Sequence, residues 1–498
     1  MVLINGQDWA VPATDAVLSD ATRATLAAHG PYTQDFARIY PILQPDRCHQ
    51  FMDQLLADTN LLLAPVAQKG FNASAVIDFV RALLSRPNVD PGGPTYTTFL
   101  KPLLDCDTKS YDDIIRIVDW AENHIGGVPL VLLLLGDGQS VLRMRDLKRL
   151  YPDLYKHVLV ANGPFHSGAH LQFACLFLWD KPLLHTCFVA IGKREWNDRD
   201  KVWTGVIPPR IKNLEHNSAD HTLQGSLAVT VAIYVFLCCH ITQPPPSLLL
   251  RDPALYTALV ENAGVKVLVE YLRHAGLPML WWQRTCRSAD GIRLDHLHAL
   301  AIHIFRCAHK TSSAQISLLH LISVFGTHPS LRDFVRKRLF HSLLGHIGSC
   351  IGSDKSLEIQ NEDQKSRNTG HSVLNALHFG RLLQPLNWVN RMWRLATGGL
   401  ADVDPGYRAS IVQEVEVLVA LFVRLVATSD ARTRTNMNPF WHTGQPRNMN
   451  AAGAMRDCRP WDWIWAVATG TSRGWQETKT RTWWGWFRDH ITAHMFYQ

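Results

Sequence analysis

A chain of 498 residues that is 47% hydrophobic and 19% charged has enough apolar surface to offset its chain entropy, which excludes both global disorder and a small cross-linked fold. The length suits about three domains, or one large domain with insertions. Fifty Lys and Arg against 43 Asp and Glu leave a net charge of +7, which permits a polyanionic partner without requiring one. The ten cysteines form no CxxC pair, and Cys238 and Cys239 lie inside an apolar run. That usage predicts free thiols and a reducing, intracellular compartment. The opening stretch, with Asn5, Gln7 and Asp8, has neither the basic flank nor the apolar centre of a secretory signal. Leu227 to Cys239 is the longest apolar run; it falls short of the roughly 20 residues that cross a bilayer and predicts a buried core helix, with no membrane partner.

In chain order, residues 1–127 read as a helical region. Asp46 is placed to cap a helix with Phe51, Leu55 and Leu56 on its apolar face. A second helix runs from Ala73 to the stop at Pro87, and a third begins at Ser110 with the stripe Ile114, Ile117, Val118 and ends at Gly126-Gly127. Residues 128–243 read as an α/β core. Val128 to Leu135 is a continuous apolar run between glycines, as a strand covered on both faces would be. A basic helix, Leu142 to Leu150, follows, then a second strand, His157 to Ala161, closed by Asn162-Gly163-Pro164. A helix from Ser167 to Trp179 and a third strand, Cys187 to Ile191, complete the alternation.

Residues 244–430 read as a large helical insertion. A helix following Asp252-Pro253 runs to Gly276 with a break near Gly264, and further helices occupy Arg293 to His309, Ala314 to Phe325 and Leu331 to His346. Gly352 to Gly370 has few apolar residues and reads as a long mobile loop, whereas Ile411 to Val426 is apolar on nearly all sides and should be central. Residues 431–498 form a basic, Trp-rich region with nine Arg and Lys against four acids and eight of the 17 tryptophans. Cations interleaved with flat rings suit phosphates and bases, and the same composition suits rings that close the end of a core with the arginines in water. The fold class is therefore mostly α with a small α/β core.

Chemistry has two places to sit. Leu132-Leu133-Leu134-Leu135-Gly136-Asp137-Gly138-Gln139 sets a carboxylate just past a buried strand, between glycines, where a divalent cation or a phosphate can approach; an Asp-Gly turn needs an aspartate there in any case. Gly163-Pro164-Phe165-His166-Ser167-Gly168-Ala169-His170 again follows a strand and opens a helix. His166 and His170 share a face at a spacing that two metal-bound imidazoles can use, although a chain with 24 histidines yields such pairs by coincidence, as with His303 and Cys307. Ser167 lacks the GxSxG elbow of a nucleophile.

The order of strand, Gly136-Asp137-Gly138-Gln139, basic helix with Arg143 and Leu147-Lys148, second strand and Gly163-Pro164-Phe165-His166 resembles an uncharacterised family of eukaryotic mobile-element-associated proteins. Members are thought to carry a transposase core similar to ribonuclease H, in which a Gly-Asp-Gln block ends one strand and a Pro-Gly-Asp-aromatic-His block ends another. Gly380-Arg381-Leu382-Leu383, Trp393, Gly398, Tyr407 and Glu414 resemble a later block of the same family. Two departures accompany the match. Pro164 stands where the family has its second aspartate, and Gln445 to Met455, which follows a block similar to Asn438 to Gly444, holds no carboxylate.

The resemblance implies a ribonuclease H-like sheet interrupted by the helical insertion, and a transposase-derived nucleic-acid-binding protein with weak or lost metal-dependent nuclease activity. DNA is the implied partner, and a nuclear location is compatible with it. Under that reading Asp137 and His166 are the catalytic candidates, Asp137 holds Mg²⁺ where activity survives, and Asp180, Glu414 or Glu416 supplies a further acid. Arg143, Arg145, Lys148, Arg149, Trp483, Trp484 and Arg488 are the candidate nucleic-acid contacts. Two other readings stand beside it: a non-enzymatic helical interaction or scaffold protein, and a metal-dependent hydrolase of small substrates built on Asp137, His166 and His170.

Overall fold

The computed structural model describes residues 42–43, 45–69, 110–125, 132–151, 153–155, 157–179, 183–192, 196–197, 202–203, 217–237, 263–308, 310–326, 329–342, 350–354 and 405–428. Two helices come first, α1 (Pro45–Lys69) and α2 (Tyr111–Ile125). Then follow β1 (Leu132–Gly136), α3 (Gly138–Leu150), β2 (Val158–Asn162) and α4 (Pro164–Trp179). A short helix α5 (His185–Ala190), the strand pair β3 (Trp196–Asn197) and β4 (Val202–Trp203), and α6 (Asn217–Phe236) succeed them. The helical part comprises α7 (Ala263–Tyr271), a π-helical turn at Leu272–Gly276, α8 (Leu277–Ser288), α9 (Gly291–Cys307), α10 (Thr311–Gly326) and α11 (Pro329–Arg338). The strands β5 (Phe340–Ser342) and β6 (Cys350–Gly352) and the helix α12 (Pro405–Thr428) end the described chain. The protein is thus mostly helical around a small parallel sheet, and no described helix is long and apolar enough to cross a membrane.

β1 and β2 pair in parallel with Leu132 opposite Val158 and Gly136 opposite Asn162, joined by α3 as the crossover that parallel strands require. The continuous leucine run has its expected cause. Leu133 and Leu135, with Leu159 and Ala161, enter the main core, while Leu132, Val158 and Val160 turn the other way onto Ile114 and Val118 of α2 and Val141, Met144 and Leu147 of α3. Alternate residues of a strand point to opposite faces, so a sheet covered on both sides needs apolar residues at every position. At about 1.5–3 kcal/mol for each fully buried leucine or valine, this pairing is fixed by burial rather than by its few ladder bonds.

The main core is continuous from Leu43 to Phe422 and unites α1, the sheet, α4, α6 and the later helices. Residues 225–236 of α6 and the adjoining Leu237 are buried without exception, as expected of the longest apolar run. α4 starts where the Gly163 carbonyl accepts from Ser167 N (3.2 Å) and Gly163 N donates to Gly136 O (3.0 Å), with Pro164 at a position that needs no donor.

Several expectations are corrected. Cys187 to Ile191 is not a third strand: it lies in and just past α5, because Leu183, Leu184, Cys187 and Phe188 are buried together at helical spacing. Leu331 to His346 is helical only to Arg338, after which Phe340–Ser342 pairs antiparallel with Cys350–Gly352. The residues before Ala263, where α7 begins, lie outside the described residues, and with them the break expected near Gly264; the helical material passes through the π turn ending in Gly276, where a Cβ would lie 2.7 Å from Thr230 Oγ1 of α6. α12 buries one face through Ile411, Val415, Leu418 and Phe422 but exposes Val417 and Val423, so it flanks the core rather than crossing it. Of the loop expected over Gly352 to Gly370, residues 352–354 are buried, with Gly352 and Asp354 against the start of α4, and residues 355–370 lie outside the described residues. The helices expected at 73–87 and after Asp252-Pro253, and the basic region 431–498, lie outside the described residues.

Candidate functional site

The carboxyl ends of β1 and β2 form the rim on which a ligand site of an α/β unit is expected. Asp137 follows β1 directly and is exposed. Its extended backbone (φ −68°, ψ 171°) makes it the N-cap of α3, and Oδ1 accepts from both Ser140 N (2.9 Å) and Ser140 Oγ (2.5 Å). The aspartate therefore holds the turn and presents its charge at the rim. Gly138 behind it leaves room for α10: a Cβ there would stand 2.5 Å from Ile316 Cδ1.

On the neighbouring strand, Asn162 is buried and its Oδ1 meets no hydrogen-bond donor among the described residues. The first turn of α4 is held by Asp354, which reaches it from just beyond β6. The Asp354 carboxylate is 4% exposed and accepts from Phe165 N (3.0 Å) and from His166 N and Nδ1 (2.9 and 3.0 Å). A negative group at this end of a helix is favoured by the orphan N–H donors and the helix dipole. Trp282 of α8 fastens the same turn, its Nε1 donating to Pro164 O at 2.9 Å, and Gly168 gives it space, since a Cβ there would lie 2.5 Å from that nitrogen.

One turn further along α4, His170 Nδ1 lies 2.9 Å from Ser313 Oγ of α10. Burial holds the His170 imidazole neutral, down to about 4, with His166 and Lys310 adding to the effect and Asp137 opposing it. Lys310 sits with Nζ 4.4 Å from the Phe173 ring centre and 5.9 Å from that of the exposed Phe177, a cation over aromatic faces.

Of the residues singled out in the sequence, Asp137 and His166 both act electrostatically on His170. Asp354, Lys310 and Ser313 complete the rim, and nothing local to their sequence ties them to it. The third carboxylate is not found where it was sought. Glu414 and Glu416 ride on α12, which packs against α6, α7 and α5, and Asp180 lies outside the described residues. Among the described residues no group of three His, Cys, Asp or Glu side chains could hold a metal ion. Both oxygens of Asp354 and Oδ1 of Asp137 already accept protein hydrogen bonds. The described residues by themselves do not make up a two-ion centre, which needs several oxygens around ions ~3.5–4 Å apart.

The basic helix is the larger correction. Arg145 is 1% exposed and donates to Leu319 O (3.1 Å) and Ser323 Oγ (2.6 Å) of α10; burial brings its guanidinium down to about 9. Lys148 is equally buried and donates to Val158 O of β2, and burial together with Arg145 lowers its ammonium well below the ordinary value. Neither can meet a phosphate, because both serve as internal donors where α3 crosses the sheet. Arg143 is half-buried over the Tyr111 ring at 5.0 Å. Arg149 belongs to α3 but its side chain, like Trp483, Trp484 and Arg488, lies outside what the structure describes. No family model, curated protein or solved structure matches the chain.

Proposed function

We propose that the chain is a nucleic-acid-binding protein derived from a ribonuclease H-like transposase core, with weak or lost nuclease activity. The observation that carries this reading is the rim itself: an exposed aspartate directly after one buried parallel strand and an oriented histidine in the first turn of the helix after the next. Lys310 supplies positive charge beside them, and the exposed Phe177 supplies a ring on which a base can stack. The described residues supply no group of three metal ligands, and no catalytic step is assigned to a divalent ion.

The test is DNA binding by fluorescence anisotropy across a salt series, followed by incubation of labelled DNA with Mg²⁺ or Mn²⁺. Phosphate neutralisation predicts a log–log slope of roughly −0.9 per contact. Any cleavage is weak and is lost in Asp137→Asn, which preserves the helix cap because asparagine caps as well as aspartate. Cleavage that survives this substitution removes the role of Asp137. A second reading, a helical interaction protein, is favoured by the burial of Arg145 and Lys148, which takes away two expected phosphate contacts; absence of salt-dependent binding selects it.

A further inference from the structure

We propose that Asp354 is the positioning residue of the rim: it holds the His166 ring as the Nδ1–H tautomer and so makes Nε2 the atom through which His166 accepts a proton or a hydrogen bond. An ionised carboxylate can only accept, so the ring nitrogen 3.0 Å from Asp354 Oδ2 carries the hydrogen. The backbone bonds to Phe165 N and His166 N already satisfy what a helix end requires; the third bond, to the ring, goes beyond capping. Two glycines make the arrangement sterically possible. A Cβ at Gly163 would lie 2.1 Å from Asp354 Oδ2, and one at Gly352 2.7 Å from Oδ1. The carboxylate is itself fixed from behind, since the adjoining Ser353 donates through N to Leu339 O (2.9 Å) and through Oγ to Arg338 O (3.0 Å).

A buried carboxylate on one imidazole nitrogen orients the ring and stabilises the positive charge that forms when the other nitrogen takes a proton. The helical part of the chain therefore completes the chemistry of the α/β part. What His166 meets at Nε2 rests on the nucleic-acid reading above, whereas the tautomer does not.

The experiment is a long-range ¹⁵N–¹H correlation spectrum of the full-length protein labelled with ¹⁵N-histidine, recorded where the imidazoles are neutral, with His166 assigned by the signal lost in His166→Gln. The wild type is expected to show Nε2 of His166 as the unprotonated, downfield nitrogen. In Asp354→Ala and Asp354→Gly, which leave no side-chain acceptor for Nδ1–H, that downfield signal moves to Nδ1 or averages between the two. A wild-type His166 protonated at Nε2 overturns the proposal even if neither variant folds, and so does an unchanged tautomer in folded variants, which would leave Asp354 a helix cap alone. DNA plays no part in this measurement, so a chain that binds no nucleic acid still passes or fails it.

Discussion

Replacing Gly163 by alanine isolates the contact on which the rim depends. The backbone does not require glycine there, because the only described glycine with positive φ is Gly192. Space is what forbids the side chain: the new Cβ would stand 2.1 Å from Oδ2, 2.2 Å from Cγ and 2.5 Å from Cβ of Asp354. These are not the far ends of a flexible chain. Asp354 is buried and hydrogen-bonded three times, so it has to leave its place. Overpacking costs about 1–3 kcal/mol, and hydrogen bonds to a charged group are worth about 1.5–3 kcal/mol each. With partial relaxation we expect a loss of about 3 kcal/mol, a large fraction of the roughly 5–15 kcal/mol that holds a native protein together. The measurement is urea denaturation followed by tryptophan fluorescence. The decisive comparison places Gly163→Ala on an Asp354→Gly background, where the three nearest clashing atoms are gone. There the substitution should be near neutral, or stabilising by about 0.4–1 kcal/mol through the lower entropy of the unfolded chain. A cycle that is additive within about 0.5 kcal/mol would refute the reasoning.

Three further outcomes follow from the geometry. Burial lowers the His170 imidazole from 6.5 to about 4, and that of His303 likewise; between these values the unfolded chain binds more protons than the native one, so stability falls as pH drops through that window. Each group contributes at most about 3 kcal/mol, and His170→Gln should flatten the curve between pH 6.5 and 4, as read from urea midpoints against pH; an unchanged curve contradicts the burial of His170. Arg145→Met and Lys148→Met should leave the salt slope of DNA binding unchanged, whereas loss of a true phosphate contact would reduce it by roughly 0.9 for each. Gly168→Ala should displace the Trp282 indole from Pro164 O, lowering stability by about 2 kcal/mol and altering tryptophan emission; unaltered emission and stability would show that this turn of α4 is not fastened by Trp282.

What the sequence made legible is what short-range pattern can carry. The leucine run reads as a strand because both faces of β1 are covered, and the Asp137 turn and the His166 to His170 face lie within one or two turns of their strands. Cys187 to Ile191 misled because a short apolar run fits a strand and a buried helix equally, and only the burial of Leu183 and Leu184 at helical spacing decides between them. Arg145 and Lys148 misled because composition reports charge and not direction. On a crossover helix packed between a sheet and α10, a long cationic side chain can be turned inward to satisfy carbonyls. Asp354 was invisible in a polar stretch without periodicity, since its role exists only through the contact with residues 165 and 166.

That contact spans 188 residues between His166 and Asp354. At a synthesis rate of about 5–20 residues per second, the carboxylate emerges from the ribosome roughly 10–40 s after the histidine it must reach. During that interval the first turn of α4 waits with its amide hydrogens exposed to water. A nascent chain stalled before residue 354 would carry the strand pair yet leave its histidine unoriented, so the rim matures only after β6 and the residues that follow it have been made.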